Sequence, residues 1–116
     1  MKRQHREFMG RRGEDMACEW MIERGWRILD RRRRTPLGEI DIVAMDGNCL
    51  VFAEVKWRRS ANNLTESVPE ANLTRVAAAG ELVAPEYVGP TVDRRIDVVL
   101  LAPGTPIRHI ANAWQP

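Results

Sequence analysis

The chain has 116 residues, 44% hydrophobic and 29% charged, enough to bury one core of modest size with little room for a second. No apolar stretch approaches the roughly 20 residues that span a bilayer. The start, Met1-Lys2-Arg3-Gln4-His5-Arg6, is followed by no signal-peptide core, so a cytoplasmic protein without a membrane partner is expected.

Net charge is only +2, yet residues 1–60 hold 14 of the 18 Lys+Arg and 10 of the 16 Asp+Glu, a balance of +4 against −2 for the rest. Nearly all of the positive charge is arginine, whose planar fork fits phosphate oxygens. Cys18 and Cys49 have neither CxxC spacing nor a paired histidine and read as reduced thiols packed as small hydrophobes. His5 and His109 carry no signal of their own.

A single domain over residues 1–116 is expected, with 1–7 a flexible basic tail. The first helix is predicted from about Phe8 to Arg24, ending at Gly25, a usual helix terminator. Met16, Ala17, Trp20 and Met21 form its apolar stripe, with Glu14 at the edge of the buried face. Trp26 to Asp30 reads as the first strand. The run Arg31, Arg32, Arg33 and Arg34 reads as a solvated loop or edge that, beside a carboxylate site, could hold phosphates.

Two strands follow, Gly38-Glu39-Ile40-Asp41-Ile42-Val43-Ala44 and Leu50-Val51-Phe52-Ala53-Glu54-Val55-Lys56, joined by the hairpin signal Asp46-Gly47-Asn48. Alternation places Glu54 and Lys56 on one face, Glu39 and Asp41 on one face, and Ile40 and Ile42 on the other. A two-residue turn on Gly47-Asn48 would set Asp41 across from Glu54; one on Asp46-Gly47 would set Glu39 there, with Asp41 diagonal. A three-residue loop would throw Asp41 to the opposite face. Two or three carboxylates beside one lysine suit a divalent cation and a polarised water.

A second helix is predicted from Glu66 to about Ala84, a buried strand over Ile96 to Ala102, and, after Pro103-Gly104-Thr105-Pro106, a short strand near Ile107 to Trp114. The order αβββαββ predicts an α/β fold, a mixed sheet with the antiparallel hairpin inside it and helices flanking it. Asp97 at the head of its strand reads as structural, bonding nearby backbone.

Gly13-Glu14-Asp15, the segments 38–44 and 51–58, and Arg95-Ile96-Asp97-Val98-Val99 together resemble the YraN-type family of small bacterial proteins, over roughly residues 7 to 101. That family is placed with restriction-endonuclease-like and Holliday-junction-resolvase-like nucleases of the PD-(D/E)XK group. The resemblance implies a catalytic set of Glu14, Asp41, Glu54 and Lys56, with Asp41, Glu54 and Glu14 as ligands to Mg²⁺ or Mn²⁺; Glu39, on the face of Asp41, reads either as a fifth member or as turn-proximal surface. The resemblance also implies a DNA substrate, branched or damaged, and a homodimer to test for. One departure is Asn72, where such proteins usually carry a basic residue.

Arg11, Arg12, Arg31, Arg32, Arg33, Arg34, Arg58 and Arg59 are the candidate nucleic-acid contacts. The bland rival is an ion pair of Glu54 and Lys56 on a solvated face. In function, the rival is a module that keeps the nuclease fold and holds nucleic acid without cutting.

Overall fold

The structure, a computed structural model, describes the backbone of residues 3–9 and all atoms of 10–59 and 68–116. Helix α1 (Arg3–Glu23) is followed by β1 (Arg27–Thr35), β2 (Gly38–Asp46) and β3 (Cys49–Trp57), then α2 (Glu70–Val83), β4 (Arg94–Leu101) and β5 (Arg108–Ile110). The five strands form one sheet in the order β1-β2-β3-β4-β5, antiparallel except for the β3–β4 pair. A parallel pair needs a crossover, and α2 lies in that connection. The result is a mixed α/β fold with helices on both faces, consistent with a restriction-endonuclease-like core.

One apolar layer lies between the sheet and α2, where Leu73, Val76, Ala77 and Val83 recur at helical spacing and meet Phe52, Val98 and Leu100. Gly80 is required there, because a Cβ would stand 2.6 Å from the Phe52 ring. The other layer joins Ala17, Cys18 and Met21 of α1 to Ala44, Val51, Ala53, Val99 and Leu101. Trp57 packs in this layer, beneath Gly13 of α1.

Helix α1 ends as expected, with Gly25 at φ 83°. Gly25 N–H donates to Ile22 O and Trp26 N–H to Met21 O, satisfying the last carbonyls. The helix begins earlier than expected, at Arg3, so the segment expected to be a tail is helical from residue 3 onward. Strand β1 does not stop at Asp30 but runs through all four arginines to Thr35, making them an edge strand, where charge discourages pairing with other chains. Helix α2 begins at Glu70; Glu66 and Ser67, the expected start, lie outside the described residues. Strand β5 is only three residues long, shorter than the segment 107–114 expected, because Ala111 and Asn112 turn away, Asn112 with φ 53°.

The β2–β3 register pairs Asp46 with Cys49 and runs to Ile42 with Ala53, so the turn is on Gly47-Asn48. Gly47 has φ 58°, the sign that the first central residue of a primed hairpin turn needs. Alternation in β2 holds only in part. Ile42 packs in the α1 layer, but Ile40 packs in the α2 layer, so the strand turns over at Asp41. The neighbouring β1 carries a matching irregularity, with Arg32 at φ 51° between Arg31, paired with Ile42, and Arg33, paired with Ile40.

Candidate functional site

The overturn of β2 creates the site. The β2–β3 ladder ends at Ile42–Ala53, and the next position in that register sets Asp41 beside Glu54. With no further ladder bond there, Val55 N–H donates to Asp41 Oδ2 at 2.8 Å, so a side-chain carboxylate takes the place of a strand carbonyl. Glu54 and Lys56, two apart on β3, share a face, with Lys56 Nζ 3.1 Å from Glu54 Oε1. Glu54 is more shielded than Lys56, so the lysine head stays open to an incoming group.

Asp41 and Glu54 line a cavity of about 260 Å³ together with Gly38, Glu39, Asn72, Arg75 and Val76. Burial, the Glu54 charge and, less strongly, the Glu14 charge push the Asp41 carboxyl up to about 7, against the Val55 N–H and Lys56, which pull it down. Asp41, raised by burial and by the neighbouring Glu54 charge, forms with Glu54 a donor pair whose crowding a cation would relieve. Their hard oxygens suit Mg²⁺ or Mn²⁺, and Mg²⁺ needs only one or two protein carboxylates beside its waters. Among the described residues, no three of His, Cys, Asp and Glu are grouped so as to hold a metal by themselves.

Glu14 does not join the pair. It is 6% exposed, and Arg32 Nε donates to both of its oxygens, at 2.9 Å and 3.1 Å, with Arg31 Nη2 3.8 Å from Oε1. Glu39 lines the cavity but leans toward Arg34, at 3.7 Å. The structure therefore brings Asp41, Glu54 and Lys56 together, with Glu39 at the rim, and leaves Glu14 acting on them through its charge.

The arginines are largely engaged. Arg31 Nη2 is 2.6 Å from Asp15, Arg32 holds Glu14, and Arg33 binds Glu86 with both terminal nitrogens while also reaching Tyr87 Oη at 3.2 Å. Arg34 is 89% exposed. Arg11, Arg12 and Arg59 are exposed, and Arg58 is half-buried.

A second polar cluster lies at the hairpin end of the sheet. Asp97, fully buried, accepts from Arg95 Nε at 2.9 Å and from the Asn112 N–H at 2.9 Å, and lies 2.7 Å from His109 Nε2. Burial raises its carboxyl, but His109, Arg95 and the Asn112 N–H outweigh burial and hold it below the usual range. Arg95 continues to Asp46 at 2.8 Å, and His109 packs against the edges of Trp20 and Trp26. Asp97 is thus structural, bonding backbone as expected, and His109 is its partner, a role nothing in the local sequence signalled. Arg75 was also missed as a cavity residue; its three-residue spacing from Asn72 was the available signal. A larger hollow of about 360 Å³ lies elsewhere beside α2, between Phe52, Ala77, Ile96 and Trp114, and its one acidic side chain, Glu81, is bonded to Arg94.

No helix is long and apolar enough to cross a membrane among the described residues. A family model described as "Uncharacterised protein family UPF0102" matches residues 13–101. Curated relatives named "UPF0102 protein" include one from Erythrobacter litoralis, 53% identical over 116 residues with all of both chains covered, and one from Sphingopyxis alaskensis, 47% identical over the same span. Another, from Anaeromyxobacter dehalogenans, is 43% identical over 85% of this chain and 75% of its own. Glu14, Asp41, Glu54 and Lys56 all fall inside the matched region, and the chain belongs to the UPF0102 family, the YraN-type family its motifs resemble.

Proposed function

We propose that this chain is a metal-dependent nuclease that hydrolyses phosphodiester bonds of DNA, with branched or damaged DNA as the substrates to test first. The observation that carries the reading is the gathering of Asp41, Glu54 and Lys56 at the point where β2 leaves β3. Three ionisable groups on strands that otherwise read as core are costly to keep there without a use, and such clusters mark function more often than chance.

A bound Mg²⁺ or Mn²⁺ would supply charge neutralisation at the phosphate and a more acidic water. Asp41 and Glu54 would hold it. Val55 N–H fixes one Asp41 oxygen, which leaves the other to turn toward the cavity. Lys56 orients the attacking water and offsets the negative charge that builds on the phosphate in the transition state. Its 3.1 Å contact with Glu54 positions the ammonium beside the donor pair.

The test is a nicking and cleavage assay over plasmid, single strands and four-way junctions with Mg²⁺ or Mn²⁺, run beside Lys56→Ala. Cleavage that Lys56→Ala lacks supports the reading. The second reading, a module that holds nucleic acid without cutting, draws on the capture of Glu14 by Arg32, which withholds the third carboxylate. It wins if wild type and Lys56→Ala bind equally and neither cuts.

A further inference from the structure

In the run Arg31–Arg34 of β1, three arginines spend their charge on acids within the fold, and the one cation that α2 brings to the Asp41–Glu54 cavity does not. Arg75 lines the cavity with Asp41 and Glu54, yet among the described residues it forms no ion pair. Its position is built rather than incidental. The side chain folds across the start of β2, where a Cβ on Gly38 would meet Arg75 Cγ at 3.1 Å and Cδ at 3.2 Å. Gly38 has φ 138°, so the residue that lets the chain turn into β2 is also the one that makes room for the arginine stem. At the far end, Arg75 Nη2 donates to Asn72 Oδ1 at 2.8 Å, nearly one helical turn back.

A guanidinium pinned at its stem and at one nitrogen keeps its remaining donors pointed outward in a fixed plane. A phosphate is the group whose oxygens match that plane, two at a time. Need accompanies the fit. The cavity is lined by Glu39, Asp41 and Glu54, and a polyanion would be repelled from it unless a cation stood at the rim.

We propose that Arg75 binds a backbone phosphate of the nucleic acid that enters the Asp41–Glu54 cleft, and that Asn72 is a positioning residue that holds it. The inference rests on the nuclease reading for the location of the site, but concerns binding. It also gives the amide at position 72 a use: a cation there would repel Arg75, whereas a carbonyl oxygen holds it.

The test is fluorescence anisotropy of labelled duplex and single-stranded DNA in Mg²⁺ across a salt series, in a Lys56→Ala background so that cleavage does not intervene. Arg75→Ala is expected to weaken binding at least about tenfold, the scale of a lost charge-assisted pair of hydrogen bonds. Its log–log salt slope should be shallower by about 0.9 on duplex or about 0.7 on single strands. Arg75→Lys should restore the slope but only part of the affinity. Asn72→Ala should weaken binding without changing the slope, since it alters geometry and not charge, a pattern that a merely structural role would not produce.

Thermal denaturation of each variant checks that the exposed Arg75 is not needed for folding. An Arg75→Ala protein with unchanged affinity and slope overturns the inference, as does a wild type that binds no nucleic acid. Cleavage by wild type with an unaltered KM in Arg75→Ala would sink Arg75 alone. Binding that depends on Arg75 without any cleavage would sink the nuclease reading and keep Arg75.

Discussion

Arg32 Nε lies 2.9 Å and 3.1 Å from the two oxygens of Glu14, so the acid that α1 carries toward the site is held by the edge strand. The contact needs Arg32 at φ 51°, a left-handed conformation rare outside glycine and costing of order 1–3 kcal/mol. Arg32→Ala should strand a buried carboxylate and lower stability by about 2 kcal/mol, less than for a fully buried pair because the arginine is well exposed. Freed Glu14 then becomes a third oxygen donor near Asp41. Thermal melts with and without Mg²⁺ should therefore show a larger metal-induced rise in Tm for Arg32→Ala than for wild type. Equal rises would make Glu14 a structural partner of Arg32 and nothing more.

Asp41→Asn removes one of two crowded acids while keeping an oxygen for the Val55 N–H. The folded carboxyl, at about 7, sits above its ordinary 3.8, so wild-type apo stability is undiminished by this group below pH 4 and declines as pH rises through 7. At about 1.4 kcal/mol per unit, the ceiling on that loss is about 4 kcal/mol. Asp41→Asn should thus be more stable than wild type at pH 8 without metal, by about 1–3 kcal/mol, and that advantage should shrink by about half at pH 5, vanishing only below pH 4. Denaturant melts at the two pH values measure it, and a variant less stable at both would mean that the acids do not oppose each other.

The hairpin register was legible because Asp46-Gly47-Asn48 allows few turns, and of the two that keep the acids together the chain adopts the one on Gly47-Asn48. What lay beyond sequence was the overturn at Asp41. It depends on a left-handed Arg32, and nothing in the run of four arginines marks one of them for that conformation. The same overturn puts Arg31 and Arg32 on the α1 side and sends Arg33 to Glu86 and Tyr87, pairings across 16 to 54 residues that no local pattern carries. Likewise Asp97 was legible as structural from its place at the head of an apolar strand, but His109 became its partner only because β5 folds back along β4.

That Asp97 cluster makes a separate prediction about acid stability. The Asp97 carboxyl is held below its ordinary value, so its stabilisation is present above pH 4 and is lost as pH falls through the lower folded value. Asp97→Asn should destabilise the protein by about 3 kcal/mol at pH 7, since it leaves Arg95 and His109 without their shared acceptor charge. The deficit should narrow below pH 4, where wild type loses its own advantage. Nucleic-acid affinity in the cold, where the variant is folded, should not change; a loss of affinity there would tie this end of the sheet to the site.

Lys56 and Glu54 stand 3.1 Å apart yet should fail differently when removed. Lys56→Ala takes away a group that acts as charge builds on the phosphate, so cleavage should fall by at least about a hundredfold, near 3 kcal/mol of transition-state stabilisation. Affinity in Mg²⁺ should stay within a few-fold, because the Lys56 ammonium is already paired with Glu54 in the ground state and its added interaction comes only as charge builds on the phosphate. Glu54→Ala removes a proposed metal ligand. It should abolish cleavage and the rise in Tm with Mg²⁺ together, while apo stability holds or increases as Asp41 loses its nearest like charge. Single-turnover cleavage and metal-dependent melts on the two variants separate these outcomes. If Glu54→Ala keeps the full Mg²⁺ shift, the cation sits elsewhere and the strand pair is not its site.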